Sequence, residues 1–186
     1  ERLYAIKYET PDGKRYYRAP NERDMENEKK VHEIVAEHFV EWQEQGLVPT
    51  MAIEPGYNTD QLIRERGWGY WHQLFNARQL MTYSLIFQNA IEYSDSASKL
   101  VVALLGLHKS LDFNCKLCRW ANDERNPNNC TFSNQALNTI INPAGRSLCY
   151  LQDQIIITIN SCSIKGNSEV IIQDARNASR TCDIWL

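Results

Sequence analysis

The sequence lacks a long hydrophobic segment and an excess of positive charge. Its longest strictly apolar run covers residues 100–105 of the 186, whereas a helix needs about 20 apolar residues to cross a bilayer. The 20 lysines and arginines are outnumbered by 23 aspartates and glutamates, which leaves a net charge of −3. These absences argue against a membrane-spanning helix and a histone-like chain, and any contact with nucleic acid would need a local basic patch.

The chain also offers no signal for export. Glu1 and Arg2 are charged, and no apolar stretch follows them. The sequence therefore predicts a cytoplasmic protein. The matches to the N-glycosylation motif at 129–131 and 177–179 are then chance occurrences. The apolar share of 43% and the charged share of 23% are typical of a globular domain.

The cysteines do not form a recognisable zinc ribbon. The six are Cys115, Cys118, Cys130, Cys149, Cys162 and Cys182. Cys115 and Cys118 have the spacing of a zinc knuckle, but no second pair of cysteines or histidines follows at a matching distance. We therefore predict no metal and expect the cysteines to be buried in helices. A zinc knuckle and a redox or inter-chain role are the alternatives.

The N-terminal part predicts a hairpin and then a helix. Aromatic-rich runs at 3–8 and 15–18 flank an Asp-Gly turn, which is a strong hairpin signal. Asn21 and Asp24 are spaced as a helix N-cap, and the helix should end at Gly46. Its apolar stripe comprises Met25, Val31, Val35, Phe39 and Trp42.

Two further helices and two strands are predicted. Asn76 should cap the first helix, and Ser94 or Ser96 should cap the second, which runs towards Trp120. Their apolar faces should pack against each other and against a third element. The stripes comprise Leu80, Tyr83, Phe87 and Ile91 in the first helix and Leu100, Leu104, Leu107 and Leu111 in the second. Later apolar runs at 169–173 and 182–186 resemble consecutive strands of a parallel α/β sheet.

The connector between the first two long helices contains a cluster of arginines and aromatics. Arg64, Arg66, Trp68 and Trp71 lie close together around two glycines, and Arg78 follows. Guanidinium groups bind phosphate and rings stack on bases, so these five residues are the DNA-binding candidates. The alternative is that the aromatics anchor the connector to the helices behind it.

The overall prediction is a helix-rich α+β fold with long antiparallel helices. Its five segments are a β-hairpin (1–20), an amphipathic helix (21–46), a connector loop (47–75), a helical domain (76–147) and a partial α/β segment (148–186).

Three sequence blocks in a fixed order carry a family resemblance. The first is Gly67-x-x-x-Trp71-x-x-Leu74-Phe75-Asn76-x-Arg78-Gln79-Leu80. The second is Asn114-x-x-Leu117-Cys118-Arg119-Trp120, followed by Thr131-Phe132-x-x-Gln135-Ala136-Leu137. The third is Asp174-Ala175, followed by Asp183-Ile184-Trp185-Leu186. Together they resemble the large adenine-specific DNA methylases that carry a zinc-ribbon segment and a domain of unknown function.

The resemblance implies a central fragment of a DNA methyltransferase that uses S-adenosylmethionine. In the family, the glycine-rich cofactor loop precedes this region and the catalytic Asp-Pro-Pro-Tyr follows it, so no catalytic residue is assigned here. The C-terminal strands would belong to a Rossmann-like methyltransferase sheet. Asp174, followed by Ala175, matches a cofactor-binding position at the carboxyl end of a strand. The position of Cys115 departs from the family, which usually has a small hydroxyl residue there.

The resemblance also implies that the parent enzyme binds DNA and that this fragment alone is inactive. Subunits of a defence system are possible further partners. The alternative function is a non-catalytic DNA-binding or protein-interaction module of a phage-defence or restriction-modification complex.

Overall fold

The computed structural model describes residues 3, 5–57, 59–118 and 131. These residues form strands β1 (Ile6–Glu9) and β2 (Arg15–Arg18), and helices α1 (Glu22–Glu44), α2 (Asp60–Arg66), α3 (Ala77–Tyr93) and α4 (Ala97–Phe113), with a 3-10 helix at Trp71–Leu74. The helix-rich α+β class with an N-terminal hairpin is therefore confirmed. The strands predicted at 169–173 and 182–186 lie outside the described residues.

The predicted hairpin is present. Strands β1 and β2 pair antiparallel, with Ile6 opposite Arg18. Gly13 adopts a φ of 80° in the connecting turn, a left-handed conformation that glycine adopts without steric cost. Tyr8 and Tyr16 lie opposite each other, and their rings stack at 5.4 Å. All four residues of β2 are exposed, so this hairpin depends mainly on its turn and its cross-strand pairs.

Helix α1 begins with the predicted cap. The Asn21 side chain accepts a hydrogen bond from the Asp24 N–H at 2.9 Å, and the Asp24 carboxylate accepts one from the Asn21 N–H at 2.9 Å. The prediction that Met25 belongs to the buried stripe is wrong, since this side chain is exposed. Met25 lies near the start of α1, ahead of Val31, the first buried residue of this helix.

Helices α1 and α3 enclose the larger of two hydrophobic clusters. We call it the helical cluster. Its buried members are Val31, Val35, Trp42, Leu47 and Val48, and the partly buried side chains packed on it are Phe39, Ala77, Leu80, Met81 and Phe87. Helix α3 also contacts α4. The expected packing of the two later helices on each other is therefore confirmed, and α3 also packs on a third element, α1.

The caps of α3 and α4 also agree with the sequence. Asn76 and Gln79 form a reciprocal capping box at α3, and Ser96, one of the two predicted candidates, accepts from the Lys99 N–H at α4. The prediction that Ile91 belongs to the buried stripe is wrong, since this side chain is exposed. Ile91 lies in the last turn of α3, where the described residues leave it uncovered.

Helix α4 ends earlier than predicted. Its last residue is Phe113, whereas the apolar pattern suggested a helix running towards Trp120. The side chain of Asn114 donates to the Ser110 carbonyl at 3.1 Å. This bond satisfies one of the carbonyls that a helix end leaves without a partner, and it stops the helix there. No helix in the described part of the chain is long and apolar enough to cross a membrane.

Candidate functional site

The connector contains more regular structure than its sequence indicated. Helix α2 is short, and the side chain of Thr59 donates to the carbonyls of Glu54 and Gly56 instead of capping the helix, so no strong local signal marks its start. Gly67 follows it with a φ of 67°, which turns the chain back. The returning backbone is then fixed, because the Ile53 N–H donates to the Gly69 carbonyl at 2.8 Å and the Trp71 N–H donates to the Met51 carbonyl at 3.2 Å.

This closed connector has a small core of its own. We call it the connector cluster. Its buried members are Ile53, Leu62 and Leu74, and the partly buried side chains packed on it are Ile63, Trp68, Trp71, Phe75 and Leu117. Two of the DNA-binding candidates, Trp68 and Trp71, therefore contact the protein interior. They pack on the connector's own core, whereas the anchoring alternative placed the aromatics against the helices behind the connector.

The three candidate arginines lie in two different environments. Arg64 and Arg66 are in the last turn of α2, and the side chain of Arg64 is 76% exposed with Glu65 at 3.5 Å. Arg78 lies on α3, where its Nε and Nη2 donate to one carboxylate oxygen of Glu28 at 2.9 and 2.6 Å. The structure thus brings Arg64 and Arg66 together with Trp68, while Arg78 connects α3 to α1.

Tyr70 is an exposed aromatic that the DNA-binding prediction did not include. Its ring stacks on His72 with the centroids 5.5 Å apart, and His72 donates from Nδ1 to the Pro49 carbonyl at 3.0 Å. Tyr57, which is 98% exposed, is a second exposed aromatic of the connector that the prediction did not include. The sequence Trp68-x-Tyr70-Trp71 indicated an aromatic cluster, but it did not reveal which ring would be exposed.

A second candidate site lies just after α4, where Cys115 and Cys118 form a tight turn. The Cys118 N–H donates to the Cys115 carbonyl at 3.1 Å, and the two Sγ atoms are 3.9 Å apart. Both cysteines are reduced and buried, with 3% and 0% of their surface exposed. The prediction of burial is confirmed for this pair, but its location in helices is wrong, since Asn114 has already ended α4.

Polar groups surround the two sulfurs. The Leu117 N–H donates to Cys115 Sγ at 3.3 Å, and the Thr131 hydroxyl lies 2.9 Å from the same sulfur. The Cys115 N–H donates to Cys118 Sγ at 3.4 Å. Thr131 is fixed in turn by Asp112, whose carboxylate accepts from the Thr131 N–H at 3.1 Å.

These contacts make the two thiols unequal. A hydrogen bond from Cys118 lowers the pKa of Cys115 to about 7, against the opposing effect of burial, and Thr131 adds to the lowering. The same hydrogen bond raises the pKa of Cys118, and burial raises it further. Cys115 is therefore the sulfur that ionises first, while Cys118 keeps its proton and donates it.

No metal centre is formed by the described side chains, in which no three histidine, cysteine or acidic residues come close enough to hold an ion. The proposed cofactor residues Asp174 and Ala175 lie outside the part of the chain that the structure describes. The remaining four cysteines lie outside it as well.

The turn at Cys115 and Cys118 is attached to the connector. The Lys116 N–H donates to the Leu74 carbonyl at 2.8 Å, and its Nζ donates to the Gln73 carbonyl at 2.9 Å while lying 5.5 Å from the Trp68 ring centroid. The two candidate sites are therefore neighbours. In comparisons with known proteins, no family model, curated protein or solved structure matches this chain.

Proposed function

We propose that this chain is the central segment of an S-adenosylmethionine-dependent DNA adenine methyltransferase, with its helical part used for target recognition or domain packing. The observation that carries the proposal is the order and spacing of the three sequence blocks described above. Each block has modest specificity, and the ordered set extends from Gly67 to Leu186. The parent enzyme would bind DNA and S-adenosylmethionine, and subunits of a defence system would be further partners.

The residues of the first block have identifiable structural roles, which supports the proposal. Gly67 provides the left-handed turn, Leu74 is buried in the connector cluster, and Asn76 with Gln79 caps α3. Residues with these roles determine the backbone conformation and the packing of the segment. The resemblance is therefore best interpreted as a shared fold of this segment, and it assigns no chemistry to these side chains.

The chemical step would belong to other parts of the enzyme. Methylating the adenine amine requires the base to be flipped into a pocket, where acceptors take the amine hydrogens and an aromatic ring stacks on the base. The family's glycine-rich loop and Asp-Pro-Pro-Tyr are absent from this sequence. We therefore expect the 186-residue chain to transfer no methyl group from labelled cofactor to adenine-containing DNA, and labelled DNA would contradict the proposal.

The cofactor contact is proposed for Asp174. Losing a hydrogen bond to a charged acceptor costs about 1.5–3 kcal/mol, or roughly ten- to a hundredfold in affinity. We expect Asp174→Ala to weaken cofactor binding by this amount in the intact enzyme and Asp174→Asn to weaken it less. Titration of the enzyme with cofactor measures both effects. Unchanged affinity together with a lower melting temperature would make Asp174 a turn cap.

The DNA contact is proposed for the connector, with unequal contributions from its arginines. Arg64 is well exposed, so binding a phosphate would displace mainly water. Arg78 would first have to give up its ion pair with Glu28. We therefore expect Arg64 to contribute more to DNA affinity than Arg78.

The salt dependence of DNA binding tests this ranking. Each lost phosphate contact reduces the slope of log affinity against log salt by roughly 0.9. We expect a clear reduction for Arg64→Ala and a smaller one for Arg78→Ala. Arg23→Ala is the matched control, since Arg23 is an exposed arginine in the first turn of α1. An unchanged slope in the Arg64 variant would contradict the ranking, and so would an equal reduction in the control.

A further inference from the structure

The cysteine pair after α4 has no role in the proposed function. Its two sulfurs are 3.9 Å apart in a turn closed by a backbone hydrogen bond. A disulfide needs a sulfur separation of about 2.05 Å. Because the hydrogen bond already holds the two ends of the turn together, closing the remaining gap requires small side-chain movements.

The hydrogen bonds give each sulfur a different role. The Leu117 N–H donates to Cys115 Sγ, and the thiol of Cys118 lies 3.9 Å from it. The Thr131 hydroxyl lies 2.9 Å from Cys115 Sγ and donates to the Asp112 carbonyl at 2.7 Å. The Cys115 N–H donates to Cys118 Sγ. Hydrogen bonds to a sulfur favour its charged form, so this arrangement stabilises a thiolate on Cys115.

We propose that Cys115 and Cys118 form a redox-active dithiol that exchanges with a small-molecule disulfide, with Cys115 as the attacking thiolate and Cys118 as the resolving thiol. The proposal concerns a modification site and is independent of the methyltransferase assignment. It commits to a low-molecular-weight disulfide such as oxidised glutathione, because burial leaves little surface for a protein partner.

The exchange balances in two steps. The Cys115 thiolate attacks one sulfur of the small disulfide RSSR, forming a Cys115–S–S–R bond and releasing one thiolate RS⁻. Cys118 then passes its proton to RS⁻ or solvent, and its thiolate attacks the sulfur of Cys115. This forms the Cys115–Cys118 disulfide and releases a second thiolate. Overall, two protein thiols are oxidised and one RSSR is reduced to two RSH.

The pKa and the burial of Cys115 set the conditions for this reaction. Because the pKa of Cys115 is lowered, more of it is thiolate at neutral pH than of an ordinary cysteine, so the exchange rate at neutral pH should rise with pH. Because the sulfur is buried, the reagent must wait for local opening around the turn. We therefore expect exchange that is slower than at an exposed thiol and that accelerates at denaturant concentrations too low to unfold the chain.

Trypsin makes the product easy to identify. It cleaves after Lys116, so Cys115 and Cys118 fall on separate peptides that stay joined only through a disulfide. The reduced 186-residue chain is equilibrated in glutathione buffers of increasing oxidation, quenched with iodoacetamide, digested and analysed by mass spectrometry. We expect the joined peptide pair to appear as a single redox transition. Its absence from every buffer would refute the proposal, and so would pairing of Cys115 with another cysteine.

Two variants separate the roles, with circular dichroism to confirm that each is folded. Cys118→Ser should accumulate a mixed disulfide between glutathione and Cys115, since no resolving thiol remains. In Cys115→Ser, burial still raises the pKa of Cys118, so we expect less mixed disulfide at Cys118 than at Cys115 in the first variant. Equal modification of Cys118 in that variant would contradict the assigned roles. Finding close to one zinc ion per purified chain, released only when these thiols are alkylated, would replace the redox proposal with a metal site.

Discussion

The helical cluster and the connector cluster differ in how their residues are brought together. In the helical cluster, Val31, Val35 and Trp42 share one face of α1 because they recur at helical spacing. In the connector cluster, Ile53 and Leu74 are far apart in sequence, and backbone hydrogen bonds between loops bring them together. Local periodicity thus determines the first cluster, whereas the second exists only once the chain has closed on itself.

The largest expected effect is in the helical cluster. Trp42 is buried, and its carbonyl accepts from the N–H groups of Leu47 and Val48, so its position also fixes the chain after α1. We expect Trp42→Ala to reduce the free energy of unfolding by about 3–5 kcal/mol. Val40→Ala, at an exposed position on the same helix, is the control and should change it by less than about 0.5 kcal/mol. Chemical denaturation followed by circular dichroism measures both.

The next effect tests whether the connector folds together with the helices. Leu74 is buried in the connector cluster, and its carbonyl accepts from the Lys116 N–H. We expect Leu74→Ala to cost about 2–5 kcal/mol and to lower the helix-monitored transition as well. If tryptophan fluorescence reports an early transition while the helical signal is unchanged, the two clusters unfold separately. The two clusters would then differ in their free energies of unfolding as well as in how they form.

The sequence predicted those elements whose signals are local. Asn21 and Asp24, and likewise Asn76, marked helix starts because a cap needs only a few neighbouring residues. Helix α2 was missed because Thr59 makes no side-chain cap and the helix is too short to show periodicity. The end of α4 was missed because it depends on a hydrogen bond from the side chain of Asn114. The spacing of apolar residues gives no information about that bond.

The same distinction between local signals and tertiary contacts applies to the candidate sites. Residue type alone drew attention to Arg64, Trp68 and Arg78, but their exposure depends on tertiary contacts. The sequence could not show that Trp68 packs inwards or that Arg78 pairs with a glutamate on another helix. The cysteine spacing was visible, but the sequence could not show that Thr131, which is distant in sequence, lies against Cys115 Sγ.

Gly67 offers a smaller and purely conformational test of the connector. Its φ of 67° is unfavourable for any residue with a Cβ, although no atom lies close enough to clash with one. We expect Gly67→Ala to cost about 1–2 kcal/mol. Gly69→Ala is the matched control, since Gly69 also has open space but no positive φ. Equal effects in thermal unfolding would mean that the turn conformation is not what stabilises the connector.

A comparable or smaller effect is expected at the cap of α1. Removing the Asn21 side chain leaves the Asp24 N–H without its acceptor, and N-cap replacements by Ala cost about 1 kcal/mol. Asn21→Ser should recover most of this loss, because serine also accepts the hydrogen bond. Denaturant unfolding of the two variants gives the difference. A serine variant as unstable as the alanine variant would show that the capping interaction contributes little.

The smallest effect concerns the ion pair that connects the two helices of the larger cluster. The side chain of Arg78 is 48% exposed and that of Glu28 is 18% exposed, so solvent screens the attraction only in part. We expect a double-mutant cycle with Arg78→Ala and Glu28→Ala to give a coupling free energy of about 0.2–1 kcal/mol, decreasing with added salt. Lys29 with Glu33 is the control pair, since it is more exposed and longer, at 3.8 Å. The coupling also bears on DNA binding, because a value near zero would leave the Arg78 guanidinium as available to phosphate as that of Arg64. A clear coupling would instead assign Arg78 to the helical cluster and restrict the proposed DNA contact to the connector.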